Sequence, residues 1–430
     1  MKLTIHRGTN QIGGCVTEIE HNGYRVFIDF GEQLPGAPVS ELPAIEGLTC
    51  GDCSKSALFI SHYHSDHIGK IGDTSQNLYL YMGKTACEIY KKLEQKLTHI
   101  QDITKADKHK NIVKRISNIQ TFTPLQEMKV GDITVTPLMT DHSAFDAYMF
   151  IIEAAGIRLL HTGDFRGHGF RSKGLISMLQ KYAPHINYVI SEGTNIRRPD
   201  VATQSEQELQ QDFENRFKQN KYNFVLMSST NIDRIFSLYH AAKKAGRCFV
   251  CDTYQTEILK TVSASHKSYT AFYDIDYTQT ENYAGRFFSL KKAYNNTYSF
   301  LFPERLKEYL RKYGFCMLIR ANEAFKPILA EYDANIYYSM WNGYLDSRKQ
   351  AFNPKLHSFL SPYDIEYMHT SGHADTATLQ AIFETLKPSG GIIPIHTEAP
   401  EIFQTLFGTI APIIILHDGE ALPLPLINAK

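Results

Sequence analysis

The feature of the sequence that most restricts the fold is the segment SHYHSDH, residues 61–67, which directly follows the apolar run ALFI. On a helix, side chains two residues apart point about 200° away from each other, so His62 and His64 could not easily bind one ion. At the end of an extended strand the same two side chains face one side. Four possible metal ligands so close together therefore predict a metal centre where a buried strand ends. The alternative interpretation is a polar surface loop.

Other apolar runs end in the same kinds of residue. The first part of the chain contains the strand-like runs YRVFIDF, ALFISH, ITVTPLMT, YMFIIEA, GIRLLHTGD and YVISEGT. His142 in TDHSAFDAY, Asp164 in HTGDFR and His396 in IPIHTE each follow such a run. A lone histidine in this position is usually an ordinary loop residue, but the shared position favours one common site on strand-end loops.

The ligands found in this way are enough for two metal ions. Ser65 is predicted to be the N-cap of a short helix, which would place the two residues after it in the first turn, beside a second ion. Nitrogen and carboxylate ligands without cysteine favour two zinc ions, with manganese as the alternative. Such a pair lowers the pKa of a bound water to about 7, which would provide a nucleophile at neutral pH. We assign His62, His64 and His142 to one ion, Asp66, His67 and His396 to the other, and Asp164 to a bridge between them.

The secondary-structure pattern of the sequence changes near residue 203, which indicates a second domain. A chain of 430 residues is longer than one hydrophobic core usually organises. Helical periodicity begins with SEQELQQDFENRFKQ and continues in IDRIFSLYHAAKKAG, and after about residue 360 the runs IEYMHTS, TATLQAIFETLK and GGIIPIH restore the earlier pattern. We predict a first domain made of residues 1–202 and 361–430, with a second domain inserted at 203–360.

Composition adds expectations about partners and location. Lysine plus arginine and aspartate plus glutamate both number 45, so net charge does not indicate a nucleic-acid partner. The N-terminus lacks the layout of a signal peptide, and no apolar run approaches the roughly 18 residues of a membrane span. Seven scattered cysteines fit reduced thiols better than a disulfide framework. We therefore expect a cytoplasmic protein with no membrane partner.

The motifs resemble those of one enzyme superfamily. HYHSDH matches the HxHxDH signature of the metallo-β-lactamase superfamily, and His142 and Asp164 stand where its later ligands are expected. Asp29 in VFIDFG resembles the strand-end aspartate that orients ligands from behind. SGHA followed by a helix, an LKP turn and IPIH is similar to the β-CASP nucleases, particularly the ribonuclease J-like enzymes. The resemblance implies the α/β fold class, as an αββα metallo-β-lactamase sandwich with an inserted α/β β-CASP domain.

Three β-CASP markers can be placed on the sequence. They are Glu192 in ISEGTN, His373 in HTSGHAD and His396 in IPIHTE. In the family the third marker tends to be histidine in RNA-directed members and valine in DNA-directed ones, so the resemblance implies an RNA substrate. The last motif ends in HTE rather than the more usual HGE, and the span from about 262 to 350 matches no motif of the family.

The resemblance also implies catalytic roles. Asp66 would bind metal and accept the proton of the nucleophile, and His373 would serve the leaving oxygen as a proton donor or a charge partner. Glu192 would orient His373, or instead pair with an arginine of the 197–198 pair. A phosphate oxygen would be held in the loop before a helix, whose free amides attract anions, with an ordinary capped helix start as the alternative. The predicted phosphate-binding residues are Ser371, Gly372 and Ala374.

The function predicted from the sequence is a two-metal phosphodiesterase, a ribonuclease that hydrolyses RNA by exo- or endonucleolytic cleavage in RNA processing or decay. Aromatic and basic residues alternate in 286–300 and 305–315, which suits single-stranded RNA, although core packing explains the same pattern. The alternatives are a hydrolase of a small substrate or of DNA, and a non-catalytic RNA-binding subunit. Assembly as a homodimer stays open.

Overall fold

The computed structural model describes residues 1–37, 42–198, 203–265, 281–282, 285–292, 298–299 and 303–425. Their contacts define two compact units. Unit 1 consists of Met1–Ala202 and Gly372–Lys430, and unit 2 consists of Thr203–Ser371. The predicted return to the first domain at residue 361 differs from this division, because the short strand after it pairs within the sheet of unit 2. The domain bounds themselves stay a prediction.

In chain order, the strands of the described residues are β1 (Lys2–Arg7), β2 (Val16–His21), β3 (Tyr24–Ile28), β4 (Ser56–Ile60), β5 (Tyr79–Gly83), β6 (Ile119–Phe122), β7 (Met128–Val130), β8 (Ile133–Thr140), β9 (Ala147–Ala154), β10 (Ile157–His161), β11 (Tyr188–Glu192), β12 (Tyr222–Leu226), β13 (Cys248–Asp252), β14 (Glu281–Asn282), β15 (Phe287–Lys292), β16 (Tyr298–Ser299), β17 (Phe315–Ile319), β18 (Asn335–Tyr338), β19 (Ile365–Tyr367), β20 (Gly391–Ile395) and β21 (Ala421–Pro423). The α-helices are α1 (Ser65–Ile68), α2 (Lys84–Leu97), α3 (Ile103–Ile116), α4 (Leu175–Tyr182), α5 (Glu206–Gln219), α6 (Ile232–Lys244), α7 (Thr253–Ser265), α8 (Pro303–Tyr313), α9 (Lys326–Glu331), α10 (Pro354–Leu360), α11 (Thr376–Leu386) and α12 (Glu401–Phe407).

Unit 1 is a four-layer sandwich. One sheet has the order β21-β1-β2-β3-β4-β5-β6, and the other has the order β20-β11-β10-β9-β8-β7. Apolar side chains of both sheets form one core between them, such as Phe59 from β4 and Phe150 from β9. Helices α4, α11 and α12 cover the outer face of the second sheet with residues such as Leu179 and Phe383, while α2 contacts the first sheet at β5 and β6. This arrangement confirms the predicted αββα fold class.

Unit 2 is built on a mostly parallel sheet of order β14-β15-β13-β17-β12-β18-β19. Helix α5 begins at a capping box formed by Ser205 and Glu208, and α6 is followed by Gly246 at φ 70°, the conformation that favours glycine after a helix. Both helices were predicted from their periodicity. Phe287 and Phe288 from the first aromatic segment lie in the core, as does Phe315 from the second, so core packing accounts for them. Residues 293–297 and 300 of the first segment lie outside the described residues.

Within the described part of the chain, none of the helices combines the length and the apolar character needed to cross a membrane.

Candidate metal centre

The HYHSDH segment forms the junction between β4 and α1. His62 and His64 follow the strand in extended backbone, and Asp66 and His67 lie in the first turn of α1. The predicted N-cap is wrong, because the helix begins at Ser65 and the capping position is His64, at φ −71° and ψ 144° with no side-chain cap. A histidine at this position leaves its ring free to turn towards the neighbouring imidazoles instead of the helix amides.

Three imidazoles of unit 1 meet at the Nδ1 atom of His64. Nε2 of His62 and Nε2 of His142 each lie 3.1 Å from that atom. The outer nitrogens of these two rings are already engaged, because Nδ1 of His142 donates to the carbonyl oxygen of Gly372 at 2.6 Å and Nδ1 of His62 lies 3.0 Å from Oγ of Ser61. The inner nitrogens therefore carry lone pairs, and three lone pairs that face one point are suited to a cation.

A second group of ligand atoms lies beside the first. Nε2 of His396 is 3.3 Å from Oδ2 of Asp66, and Nε2 of His67 is 3.7 Å from the same oxygen. Asp164 reaches both groups, since its Oδ2 lies 3.1 Å from Nε2 of His67 and 3.8 Å from Nε2 of His62. The structure thus brings together all seven predicted ligand residues, in the two groups that the sequence suggested.

The pairing of neighbouring strands explains this convergence. Strand β11 runs parallel to both β10 and β20, so all three strands end at the same edge of the second sheet. Asp164 follows β10, Glu192 ends β11 and His396 follows β20 directly. The register pairs Glu192 with Ile395, the residue before His396. Two residues far apart in the sequence are therefore neighbours at this edge.

Asp29 lies outside the two ligand groups and holds the loop after β4 by hydrogen bonds. Its Oδ1 accepts the backbone N–H of Ser61, and its Oδ2 accepts both the Ser61 hydroxyl and Nδ1 of His67, all at 2.7 Å. Because Nδ1 of His67 is the donor, its Nε2 faces the ligand group with a lone pair. Asp29 is fully buried and has φ 62°, a left-handed conformation that aspartate tolerates better than most residues.

The first group is electrically neutral around pH 7. Burial, together with the other imidazoles, holds the pKa of His62 and of His142 well below the usual value. Burial also lowers the pKa of His64 to about 4. Neutral imidazole is the form of histidine that binds metal, so burial keeps these three rings in the ligand state.

The second group concentrates negative charge. Burial alone would raise the pKa of Asp66, but His67 and His396 outweigh it and hold that pKa well below its ordinary value. Burial would likewise lower the pKa of His67, but Asp164, Asp66 and Asp29 raise it well above its usual value. Carboxylates that draw positive charge so strongly onto one imidazole would also attract a cation.

The residues of this centre fit the metal that their types imply. Oδ1 of Asp164 is buried and has no hydrogen-bond partner among the described residues. A buried polar atom without a partner is costly, and a bound ion would satisfy it. The described residues that could hold an ion form overlapping groups, two of which match the predicted sets and one of which adds Glu192 and His373 to Asp164 and His396.

Glu192 and His373 form a pair beside these groups. Nδ1 of His373 lies 3.0 Å from Oε2 of Glu192, while Arg197 contacts Glu398 instead, at 3.6 Å. Of the two predicted partners for Glu192, the structure therefore shows the histidine. Burial would lower the pKa of His373, but Glu192 and Asp164 outweigh it and raise the pKa to about 9. A protonated imidazole at this place could donate a proton or balance charge.

The SGHA loop lies next to Glu192 and precedes α11. The N–H of Ala374 donates to Oε1 of Glu192 at 3.2 Å, and α11 is capped by Asp375, whose side chain accepts from the N–H of Thr378. The role of Ala374 as a phosphate donor stays a prediction. Gly372 is required by close packing, since a Cβ there would lie 2.7 Å from Oγ of Ser143. Phosphate contacts of Ser371 and Gly372 stay a prediction.

Sequence reasoning missed a buried ion pair that supports two ligand loops. Nε of Arg166 donates to Oδ1 of Asp141 at 2.9 Å, and both side chains are buried. Asp141 precedes the ligand His142, and Arg166 follows Asp164 by two residues, so the pair ties the two loops together. The charged neighbours of the ligands in TDH and GDFR were the available signal.

It also missed the two polar residues that follow Glu192 in the motif ISEGTN. Oγ1 of Thr194 contacts Glu192, His373 and His396. Nδ2 of Asn195 donates to the carbonyl oxygens of His373 and Ala374, both at 3.2 Å. Nothing in a short polar stretch after a strand distinguishes such contacts from an ordinary turn, so only the fold reveals them.

Known proteins resemble this chain in one segment of its sequence and in its fold. A family model described as the Zn-dependent metallo-hydrolase RNA specificity domain matches residues 362–404. This range contains His373 and His396, the second and third β-CASP markers. A crystal structure of a protein of unknown function from Enterococcus faecalis V583 superposes with a TM-score of 0.73 at 20% identity, covering 98% of this chain and 99% of that chain. That structure shares the fold over almost the whole chain.

Three curated relatives are similar to this chain over part of its length. Endoribonuclease ysh-1 of Neurospora crassa is 24% identical over 197 residues, which are 44% of this chain and 23% of the relative. Cleavage and polyadenylation specificity factor subunit 3 of Dictyostelium discoideum is 24% identical over 173 residues, 38% of this chain and 22% of the relative. Ribonuclease J of Mycoplasma genitalium is 21% identical over 252 residues, 56% of this chain and 42% of the relative. The chain spans less than half the length of each.

The fold, the ligand groups and these matches resemble the metallo-hydrolases of the metallo-β-lactamase superfamily, and within it the β-CASP nucleases. The matched family model is described as zinc-dependent, and the ligand groups of this chain support a metal cofactor.

Proposed function

We propose that this protein is a two-metal phosphodiesterase that hydrolyses RNA, in RNA processing or decay. The observation that supports it best is the position of Asp164, whose carboxylate lies within 3.8 Å of His62, His67 and His396 and so between the two ligand groups. A carboxylate shared by two cations is the usual way to hold them at the short spacing that phosphoryl transfer uses. Zinc is proposed for both sites, with manganese as the alternative.

When bound, such a metal pair supplies Lewis acidity and a nucleophile at neutral pH. The residues of this chain would handle the protons. Asp66 would accept the proton that the attacking water loses as its oxygen bonds to phosphorus. His373 would donate a proton to the ribose oxygen that leaves when the old phosphorus–oxygen bond breaks, and Glu192 would keep the His373 ring aimed.

RNA is proposed as the substrate for two reasons. Position 396 is histidine, as in the RNA-directed members that the motifs resemble, and the matched family model is described as an RNA specificity domain. The curated relatives are named as an endoribonuclease, a cleavage and polyadenylation factor and a ribonuclease J. We propose that the RNA is single-stranded, since an extended strand presents its phosphates without a competing helix.

The test uses metal-loaded protein with RNA and DNA of the same sequence, each labelled at the 5′ end and carrying a monophosphate or a triphosphate. A circular RNA would be cut only by an endonuclease, and a duplex RNA would test strandedness. Asp164→Asn is the inactive control, because it removes the shared carboxylate charge while keeping the size of the side chain. We expect RNA cleavage that stops on chelation, and light scattering on the same sample tests the homodimer.

Other outcomes would favour the other classes. Equal rates on RNA and DNA would indicate a nuclease without sugar preference. Hydrolysis of a chromogenic lactam or a thioester without RNA cleavage would indicate a small-substrate hydrolase. Less than one metal ion per chain together with tight RNA binding would indicate a non-catalytic subunit.

A further inference from the structure

We propose that Thr194 is a positioning residue that keeps His396 in its metal-binding tautomer and links that ligand to His373. The inference deepens the proposed function, because it rests on the proposed metal centre. Thr194 lies outside both ligand groups. Its half-buried side chain stands between two histidines that have different proposed roles, His373 and His396.

The geometry is that of one hydroxyl between three side chains. Oγ1 of Thr194 lies 2.7 Å from Oε2 of Glu192, 2.8 Å from Nδ1 of His396 and 3.2 Å from Nδ1 of His373. The two imidazole rings stack at 5.5 Å between centroids with 26° between their planes. Both rings therefore present the same nitrogen to the same oxygen.

The protons on these atoms can be assigned from their chemistry. A hydroxyl has one hydrogen to donate and two lone pairs with which to accept, and a carboxylate can only accept. The Thr194 hydrogen therefore points to Glu192, and one of its lone pairs faces the Nδ1–H of His396. The Nδ1–H of His373 lies between Oε2 of Glu192 at 3.0 Å and Oγ1 of Thr194 at 3.2 Å. With its proton on Nδ1, His396 presents the lone pair of Nε2 to Asp66 and the second ligand group.

The backbone conformation of His396 distinguishes its contact with Thr194 from an ordinary hydrogen bond in a turn. His396 has φ 51°, a backbone conformation that a histidine adopts only when its surroundings impose it. Its Nδ1 lies on the side of Thr194, and its carbonyl oxygen is also within 3.4 Å of the same hydroxyl. The ring of this strained ligand is thus held by the side chain of Thr194.

The alternative is an ordinary turn, in which Thr194 bonds the nearby carboxylate of Glu192 and has no effect on His396. Such turns are common, and the 3.4 Å contact from the Thr194 N–H to Glu192 belongs to that pattern. A turn bond of this kind would not affect metal affinity. Metal affinity therefore separates the two interpretations.

The experiment compares three variants of the full chain. Thr194→Val keeps the shape and removes the acceptor, and Thr194→Ser restores the hydroxyl. Thr385→Val is the matched control, since Oγ1 of Thr385 bonds the Ala381 carbonyl within α11. Each is stripped of metal, titrated with Zn²⁺ against a chromogenic chelator and weighed by native mass spectrometry. Thermal unfolding without metal reports whether each variant folds.

We expect Thr194→Val to bind the first Zn²⁺ like the unaltered protein and the second about 10 to 100 times more weakly, the usual effect of losing a partner of a ligand histidine. Thr194→Ser should recover most of that affinity, and Thr385→Val should not change it. Full affinity for both ions in folded Thr194→Val would overturn the inference. This readout needs no RNA cleavage, so a failure of the proposed substrate and a failure of this inference can be told apart.

Discussion

Nδ1 of His373 and Oε2 of Glu192 lie 3.0 Å apart, and the other oxygen of the same carboxylate receives the backbone N–H of Ala374. One glutamate thus holds both the ring of the proposed acid and the loop that carries it. Because Glu192 is itself buried at the end of a central strand, its carboxylate is fixed by the fold and can orient the ring of His373.

His373→Ala should retain both metal ions and the fold but lose about 10² to 10⁴ in turnover, the usual contribution of a positioned general acid. If His373 acts only in the transition state, kcat and kcat/KM should fall together. Steady-state kinetics with metal analysis on the same sample checks this. Loss of metal in the variant, or cleavage at the original rate, would show that the histidine has another role.

His396→Ala should lower the metal content from about two ions per chain towards one and abolish activity, because it removes a ligand of the second group only. The exposed His417 offers the matched control, and His417→Ala should retain both ions. Native mass spectrometry measures the stoichiometry directly. A single ion in the unaltered protein would contradict the bridging assignment of Asp164.

Asp29→Asn should weaken metal binding about 10- to 100-fold with little change in shape. An amide at this position can present an N–H where Oδ2 now accepts from His67, which would force the histidine proton onto the nitrogen that should bind metal. Chelator competition provides the affinity, and the exposed Asp73→Asn is the control. Equal affinities for the two variants would mean that Asp29 does not select the tautomer.

Glu206→Gln should destabilise unit 2 by about 3–5 kcal/mol, because it leaves the charge of Arg234 buried without its partner. The two side chains are fully buried and bond at 2.8 and 3.1 Å. The exposed pair of Arg216 and Glu366 is the matched control, and Glu366→Gln should cost at most about 1 kcal/mol.

Urea unfolding can follow this change in unit 2 specifically. Trp341 is the only tryptophan of the sequence and lies in unit 2, so its fluorescence reports on that unit. If Glu206→Gln lowers the free energy of unfolding by as little as the control does, the buried pair is replaceable.

The ligands could be predicted from the sequence because each stands directly after an apolar run, and strand pairing then brings such positions together. His62 and Asp164 are recognisable in this way although they are far apart in the chain. Thr194 was not predictable, since its importance depends on the register of β11 and β20, which no local pattern encodes. The contact between the Ala374 amide and Glu192 was not predictable for a related reason, because it is a tertiary contact.

Local signals also failed at two element boundaries. Ser65 is a good helix cap by its chemistry, but the helix starts one residue earlier than predicted, with His64 at the capping position. The end of the inserted segment could not be fixed at residue 360 because β19 has only three residues and follows β18 in the sheet of unit 2. A strand that short leaves little periodicity to detect.

The pairing of β20 with β11 has a consequence for the order in which the protein becomes complete on the ribosome. Every residue of the first ligand group, His62, His64 and His142, is synthesised before unit 2, whereas His373 and His396 emerge only after it. A nascent chain therefore lacks a ligand of the second group and the proposed acid until translation has passed unit 2. If the proposed function is correct, this order would keep an unfinished nuclease inactive beside the messenger RNA that encodes it.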